Sequence, residues 1–510
     1  MSASPSSEPL HDAARAAPAG DRIVLLLAAL LLAVQISPWY YSQRDAAGYF
    51  SIARHLAHGD GLQNRGSPVL WFPPGYPLLL SPLFCLRDLP FLEISVVHWL
   101  LAVGLLWGIY RWARPLAREG AVWIAAISVG TWAVSIHYRQ PVSEMAFMAA
   151  MAWLLVSLQA LARPRGLGRF LAWLAAAVGL TVAMCLIRPV GIALAAGGSC
   201  ALLAGAARSR FSPARDQEYR VPRVPRPASE ILSWRLAVGA ALAVGTAAVI
   251  TVGGFILHEH GAAQPLGAAT YLNSLEARRD SPLIAGYWPW FALVVSDIGR
   301  ITVPCMFKSY GYVGWWWDVN MLVYVPVFGL LFYGYVRWVR RGDDPLAWSL
   351  PFYLAVLTYF RWESGARWWV PMTPALFMCL WLALEPWGQR RLNLLRIVWL
   401  LHVLAALAYW IRVDLPRARD VDQKWPAARS LAAQITADRD RVVIDVSKDA
   451  SMADLGMLLE MQLDRHVQER TGDVPLPTSA EWLIIPIKQE PPPGFVPRSS
   501  CGGCELLHRG

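Results

Sequence analysis

Asp45 comes directly after the first apolar stretch of the chain and lies four residues before Tyr49. The chain then returns to apolar sequence through the rigid segment Pro73-Pro74-Gly75-Tyr76-Pro77. A carboxylate beside a membrane surface can take the proton from an attacking hydroxyl or amine. We therefore predict that Asp45 is catalytic and that Tyr49, Pro74 and Tyr76 belong to a substrate loop. The alternative is that Asp45 only caps a surface helix over 45–56.

A second acid, Glu144, opens a later apolar stretch and follows Arg139 by five residues. An ion facing lipid costs about 2.5 to 3.5 kcal/mol, so a carboxylate there needs a water-filled cavity or a partner. We predict that Glu144 is a second catalytic carboxylate and that Arg139 joins the substrate loop. The alternative is an ion pair between these two side chains at the membrane interface.

Four cations lie near the ends of apolar stretches. Pro189 breaks one such stretch immediately after Arg188, which suits a fixed cation at a turn. Guanidinium groups match the geometry of phosphate, and they stabilise a phosphate that departs. A loop arginine that snorkels to the interface is the alternative for Arg188. The predicted phosphate-binding residues are Arg188, Lys308, Arg361 and Arg367.

The composition of the 510-residue chain is that of an integral membrane protein. Hydrophobic residues make up 56% of it and charged residues only 16%, and the mean hydropathy is +0.37. The net charge of +10 comes largely from arginines in short loops between apolar stretches. Cytoplasmic loops carry such an excess, so topology explains the charge and no nucleic-acid partner is expected.

Apolar length and the arginine-rich loops together predict about eleven transmembrane helices between residues 22 and 412. Residues 1–21 form a cytoplasmic tail in this topology. Segments 41–93, 258–318 and 413–510 then lie on the opposite side, where the predicted site would open. Asp297, Arg300 and Lys308 interrupt the apolar run 291–310, which we therefore interpret as re-entrant or cavity-lining.

The C-terminal part has the composition of a soluble unit. Helical spacing over 424–435 and 450–466 and strand-like patterns over 441–446 and 482–487 predict a small α/β domain over 413–490. It has no glycine-rich phosphate loop. Residues 491–510 are predicted to form a flexible tail. The predicted fold class is mainly α, a polytopic transmembrane bundle with a large first outer loop and this small α/β domain.

At these motifs the chain resembles the GT-C superfamily of membrane glycosyltransferases. The resemblance is to bacterial relatives of the protein mannosyltransferases, to the aminoarabinose transferase of lipid A, and to related glycosyltransferase 39 proteins. It rests on an acid before a tyrosine, a Pro-Pro-x-Tyr-Pro segment, a Ser-Glu helix start, an Arg-Pro turn and a late Arg-x-x-x-Pro-x-x-Pro stretch. These correspond to Asp45 and Tyr49, Pro73 to Pro77, Ser143-Glu144, Arg188-Pro189, and Arg367 with Pro371 and Pro374.

The resemblance implies inverting transfer of a sugar from a polyprenyl-phosphate donor to a lipid, glycan or protein acceptor, with Asp45 as the base. It implies a multi-pass protein of the bacterial inner membrane whose active site, first large loop and C-terminal domain face the periplasm. No cofactor is certain. A divalent metal remains an alternative, but Arg44 and Ala46 flank Asp45, so no paired-acid motif supports it.

Two other functions compete with this interpretation. One is a transporter or flippase for a lipid-linked glycan, which would be expected to show repeat-like halves and charges at mid-membrane. The sequence shows no such repeat. The other is a polymerase or ligase of surface polysaccharide that uses diphosphate-linked donors.

Overall fold

The computed structural model describes most of the chain. The described residues are 17–39, 44–64, 72–162, 166–211, 234–263, 287–303, 320–342, 344–360, 365–435, 442–445, 451–463, 467–470, 480–486, 489, 491–501 and 504–509.

Helices dominate the described residues up to 435, and they run in this order. They are α1 (Ala19–Ala33), α2 (Arg44–His58), α3 (Gly75–Phe84), α4 (Phe91–Ala117), α5 (Ala121–Gly130), α6 (Trp132–Arg139), α7 (Glu144–Leu161), α8 (Leu167–Ile187), α9 (Gly191–Phe211), α10 (Trp234–Ala263), α11 (Tyr287–Thr302), α12 (Met321–Arg341), α13 (Pro345–Phe360), α14 (Thr373–Ala383), α15 (Arg390–Tyr409) and α16 (Leu415–Ala432). Short 3-10 turns cover Gly365–Trp368 and Val370–Met372, and a π turn, Trp410–Asp414, joins α15 to α16.

Among the described residues, seven helical stretches are long and apolar enough to cross a membrane, as expected of a multi-pass membrane protein. They are Phe91–Gly130, Glu144–Leu161, Leu167–Ile187, Gly191–Arg208, Trp234–Gly261, Met321–Arg341 and Arg390–Ala432. The apolar helices α3, α13 and α14 are shorter. The membrane-bundle fold is thus as predicted, while the count of eleven spans stays a prediction.

Two features of the bundle follow directly from local sequence. The predicted break at Arg188 and Pro189 is confirmed, because α8 ends at Ile187 and α9 begins at Gly191. The apolar stretch 120–136 is long enough for one predicted transmembrane helix but forms two, α5 and α6. Thr131 adopts an extended conformation between them, and its side chain caps α6 by accepting from the Val134 amide.

Close helix contacts in the bundle rely on small residues, as membrane interiors require. At Gly334 of α12, an added Cβ atom would meet the Cys379 carbonyl oxygen of α14 at 1.9 Å. Outward-facing apolar side chains such as Leu322 and Leu257 remain exposed, which suits contact with lipid tails.

The C-terminal residues form a small α/β unit, as predicted. Helix α17 (Ser451–Leu463) accompanies β1 (Val442–Asp445), β2 (Gln468–Arg470), β3 (Trp482–Pro486), β4 (Phe495–Cys501) and β5 (Cys504–Arg509). The strands form one mixed sheet in the order β2-β1-β3-β5-β4, with β1 parallel to β2 and β3 and the other pairs antiparallel.

The prediction of a flexible tail over 491–510 is wrong for the two strands at its end. Strand β5 pairs with β3 and β4, and Leu506 and Leu507 are fully buried. The proline-rich start of this segment obscured the alternating pattern that follows it. The proline at 497 is tolerated because β4 is an edge strand.

The C-terminal unit packs on the helix that carries Asp45. Arg54 of α2 donates from Nη1 to the Met461 carbonyl oxygen of α17 at 2.9 Å. Phe91 of α4 contacts Trp425 of α16, with ring centroids 5.8 Å apart. The Arg54 contact therefore helps to fix the position of α2, and the Phe91 contact holds α16 against α4.

Candidate active site

Glu144 lies at the centre of a buried ionic cluster. It is the first residue of α7 and is completely buried. Arg188, at the turn between α8 and α9, donates from Nη1 to Glu144 Oε1 at 2.9 Å. The Nε of Arg367 donates to the same oxygen. A single carboxylate thus orients two guanidinium groups from distant parts of the chain.

Arg367 links this buried carboxylate to Asp45. Its Nη1 donates to Asp45 Oδ2 at 2.5 Å, so that one guanidinium bridges two acids. Burial acts to lower the pKa of the Arg367 guanidinium, but the Glu144 and Asp45 carboxylates raise it above its usual value. Arg367 is therefore a permanent cation at this site.

The two acids differ in their access to solvent. The Asp45 side chain is 30% exposed, and that of Glu144 is 0% exposed. Asp45 stands in the first turn of α2, where the helix N-terminus favours a negative charge. Asp45 is thus the acid of this pair that an entering molecule can reach.

The turn that carries Arg188 is held from two sides. The Arg188 guanidinium carbon lies 4.5 Å from the centroid of the Trp368 ring, within reach of a cation–π contact. On the other side, Gly75 at the start of α3 meets the backbone of this turn, where an added Cβ atom would lie 2.6 Å from the Leu186 carbonyl carbon. Pro74 directly precedes this contact as the cap residue of α3.

Gly75→Ala is expected to push α3 away from the Arg188 turn, because the new methyl group would collide with backbone atoms that cannot rotate away. Overpacking of this kind costs about 1 to 3 kcal/mol. We expect a lower thermal denaturation midpoint for the purified protein. Gly179→Ala in α8 is the matched control, since a Cβ atom there would meet no atom within 4 Å. Equal midpoints for the two variants would contradict the proposed packing.

Tyr49 and Tyr76 extend the site with buried aromatic rings. The Tyr49 hydroxyl donates to Ser143 Oγ at 3.1 Å, next to Glu144 in the chain. Burial raises the pKa of the Tyr49 phenol above its usual value, so the phenol stays protonated. The rings of Tyr49 and Tyr76 pack edge to face, with their centroids 5.0 Å apart. Both predicted loop residues thus lie beside the acid cluster.

His98 holds Tyr76 in place, a role that sequence reasoning missed because His98 is only a lone histidine in an apolar helix. Its Nδ1 lies 2.9 Å from the Tyr138 carbonyl oxygen, which can only accept, so Nδ1 carries the proton. Its Nε2 then accepts from the Tyr76 hydroxyl at 2.7 Å.

Arg139 does not belong to the cluster, although it was expected in the substrate loop. It donates to Asp414 from Nε at 2.9 Å, to Gln35 Oε1 at 2.6 Å and to Ser135 Oγ at 2.7 Å. The alternative of an ion pair with Glu144 is also not seen, because Asp414 is its acidic partner. Arg139 thus ties α6 to the segment that follows α1 and to the π turn that precedes α16. Lys308 and Arg361 lie outside the described residues.

The described residues contain no group of three or more histidine, cysteine, aspartate or glutamate side chains that could hold a metal ion. At the cluster itself, Arg367 donates to both carboxylates. A divalent metal usually takes several oxygen ligands, and here one oxygen of each acid already accepts from this arginine.

Comparisons with known proteins agree on one fold. No protein-family model matches the chain. No curated protein sequence matches it either. The crystal structure of ArnT from Cupriavidus metallidurans bound to undecaprenyl phosphate is similar to it at a TM-score of 0.57 and 12% identity, covering 97% of this chain and 99% of that one. The same protein in the apo state is similar at a TM-score of 0.55 and 12% identity, over 96% and 97% of the two chains.

A second similar structure is the archaeal oligosaccharyltransferase AglB from Archaeoglobus fulgidus in complex with an inhibitory peptide and a dolichol-phosphate. Its TM-score is 0.50 at 13% identity, with 92% of this chain and 70% of that chain covered. Sequence identities this low establish shared architecture alone. The chain therefore shares the fold of these two proteins, which agrees with its resemblance to the GT-C superfamily.

Proposed function

We propose that the protein is an inverting glycosyltransferase that moves a sugar from a polyprenyl-phosphate donor to a lipid, glycan or protein acceptor. The observation that carries this proposal is the cluster in which Arg188 and Arg367 are held by Glu144 directly beside the accessible Asp45. Similar structures bound to undecaprenyl phosphate and to dolichol-phosphate support the choice of donor.

Arg188 and Arg367 stabilise the negative charge that develops on the departing phosphate. As the bond between the anomeric carbon and the phosphate oxygen breaks, that bond's electron pair leaves with polyprenyl phosphate. Guanidinium groups already oriented by Glu144 stabilise this charge without reorganisation. In this proposal Glu144 acts by positioning Arg188 and Arg367, because it is completely buried.

Asp45 supplies the base. The acceptor hydroxyl or amine forms the new bond to the anomeric carbon from the face opposite the phosphate, which inverts that centre, and its proton passes to Asp45. A donor phosphate competes with Asp45 for the N–H groups of Arg367. Donor binding therefore releases Asp45 from its ion pair.

The proposal also includes the membrane in which the protein lies and the side to which its site opens. A polyprenyl-phosphate sugar is a lipid, and the multi-pass bundle would hold it in the membrane beside the site. We place the protein in the bacterial inner membrane with the site on the periplasmic face, in a role in cell-envelope glycosylation. A flippase needs no base at a reacting centre, so the position of Asp45 favours the transferase over that alternative.

Arg188→Ala is expected to weaken binding of polyprenyl monophosphate by about 10- to 100-fold, because a charge-assisted hydrogen bond contributes about 1.5 to 3 kcal/mol. Affinity would be measured with the purified protein in lipid nanodiscs. Arg337→Ala is the matched control, since Arg337 also pairs with one glutamate, Glu385, outside the cluster. Unchanged affinity in Arg188→Ala would place the phosphate elsewhere. A wild-type preference for the diphosphate would favour a polymerase or ligase.

A further inference from the structure

A group of arginines lies at the end of the bundle opposite to the acid cluster and has no role in the steps described so far. Helix α14 begins after the Arg367 turn, and its 11 residues carry the chain about 16 Å away from the cluster. Helices α12 and α15 lie in stretches long enough to cross a membrane, and at this far end α12 ends and α15 begins. We call their four terminal arginines the basic patch, which consists of Arg340 and Arg341 of α12 and Arg390 and Arg391 of α15.

Arg391 is a fixed cation without an acid of its own. Its guanidinium carbon lies 3.7 Å from the centroid of the Trp381 ring, a cation–π contact. The buried Trp381 ring packs so closely on Gly120 that an added Cβ atom there would meet it at 2.8 Å. The Nε atom of Arg391 has no hydrogen-bond partner among the described residues, and no carboxylate among them forms an ion pair with this side chain. Stacking therefore holds the guanidinium in place while leaving its charge uncompensated.

The nearby acids do not neutralise the patch. Glu385, two residues after the end of α14, accepts from both Arg337 and Arg341 with the same oxygen, Oε2. One carboxylate thus serves two guanidinium groups. Glu385 and Glu119 attract Arg391 electrostatically, while Arg337 and Arg341 repel it. The carboxylate that is fixed beside the patch is therefore already shared, and Arg391 remains next to other cations.

The exposed members place the patch at the membrane surface. Arg340 and Arg390 are exposed and form no ion pair with the described residues. Trp387, in the turn before α15, is 57% exposed, and tryptophan rings favour the headgroup zone of a membrane. An excess of arginine on one side of a membrane protein accounts for the sign of the patch. It does not account for the stacked guanidinium of Arg391, whose charge a bound anion would compensate.

We propose that the basic patch binds the phosphate of an anionic phospholipid, in the leaflet opposite to the acid cluster. Guanidinium groups match the geometry of a phosphate, and the first turn of α15, which carries no acid, favours a negative charge. Exposed apolar side chains on both helices, such as Phe332 of α12 and Ile397 of α15, would contact the acyl chains, which favours a lipid over a free anion. This inference does not depend on the glycosyl transfer proposed above.

The test compares lipids that differ in net charge. Purified full-length protein in a neutral detergent is titrated with phosphatidylglycerol and with phosphatidylcholine of the same chain length, and native mass spectrometry measures the bound lipid. The wild type is expected to bind phosphatidylglycerol more tightly by about 10-fold or more, and Arg391→Gln should remove most of that preference. Arg169→Gln is the matched control and should keep it. Arg169 is an exposed arginine at the start of α8, also opposite to the acid cluster because α8 ends at the Arg188 turn.

Arg390→Gln provides a second variant in case Arg391→Gln does not fold, because Arg390 is exposed, and it should cause the same selective loss. Equal affinity of the wild type for the two lipids overturns this inference, and so does an unchanged preference in both variants. An equal loss in Arg169→Gln would also overturn it, because only general surface charge would then be at work. Equally tight binding of glycerophosphoglycerol, the headgroup without acyl chains, would contradict the assignment to a lipid.

Discussion

Asp45→Asn is expected to slow glycosyl transfer by about 10²- to 10⁴-fold, the contribution typical of a general base. The asparagine side chain keeps an oxygen that can accept from Arg367, so folding and membrane insertion should be unchanged. The loss should therefore appear in the rate of a single turnover at saturating donor, while affinity for polyprenyl phosphate stays within a few-fold of wild type.

The control for this variant is Asp420→Asn, which removes an exposed acid paired with Lys424 in α16. It should leave the turnover rate unchanged. If Asp45→Asn turns over at the wild-type rate, Asp45 is not the base. Because Glu144 is completely buried, that outcome would also remove the mechanism proposed for this cluster.

Glu144→Leu is expected to be the most destabilising single change at the site. It leaves Arg188, whose side chain is 8% exposed, without its carboxylate and removes one of the two acids that hold Arg367. Removal of one partner from a buried ion pair costs about 3 to 5 kcal/mol. We expect a lower thermal denaturation midpoint together with a loss of transfer activity.

A double variant distinguishes the loss of the Glu144–Arg188 ion pair from general damage at the site. Glu144→Leu combined with Arg188→Leu removes both charges, so part of the stability lost in Glu144→Leu should return, whereas activity should not. Additive losses of stability would show that the two side chains do not interact in the folded protein. The denaturation midpoints of the wild type, Glu144→Leu, Arg188→Leu and the double variant decide between these results.

Three residues at the centre of the site were predictable because each places a charge next to a membrane-spanning stretch. Asp45, Glu144 and Arg188 all stand at the end of an apolar stretch, where an ion is costly without a partner. Helix ends on one side of a bundle meet, so their convergence followed from the topology. The run 291–310 was interpreted as re-entrant or cavity-lining, and Asp297 within it lines a small cavity.

The remainder of the site depended on contacts that local sequence does not encode. Arg139, like Arg188, is an arginine at the end of an apolar stretch. Its carboxylate partner is Asp414, which lies 275 residues away in the chain, and so Arg139 lies outside the cluster. His98 carries no motif, and its role depends on the positions of Tyr76 and Tyr138. The final strands were missed because strand pairing orders them, and not their composition: β5 pairs with β3, and β4 pairs with β5.

Mass spectrometry of envelope glycolipids and glycoproteins tests the central claim most directly, in cells with the wild-type protein, without the protein, and with Asp45→Asn. We predict that one sugar adduct disappears both in the deletion and in the variant, while its polyprenyl-phosphate donor accumulates. Glycosyl transfer by this protein would be contradicted if the deletion changed only the distribution of a lipid-linked glycan across the membrane and Asp45→Asn behaved as wild type.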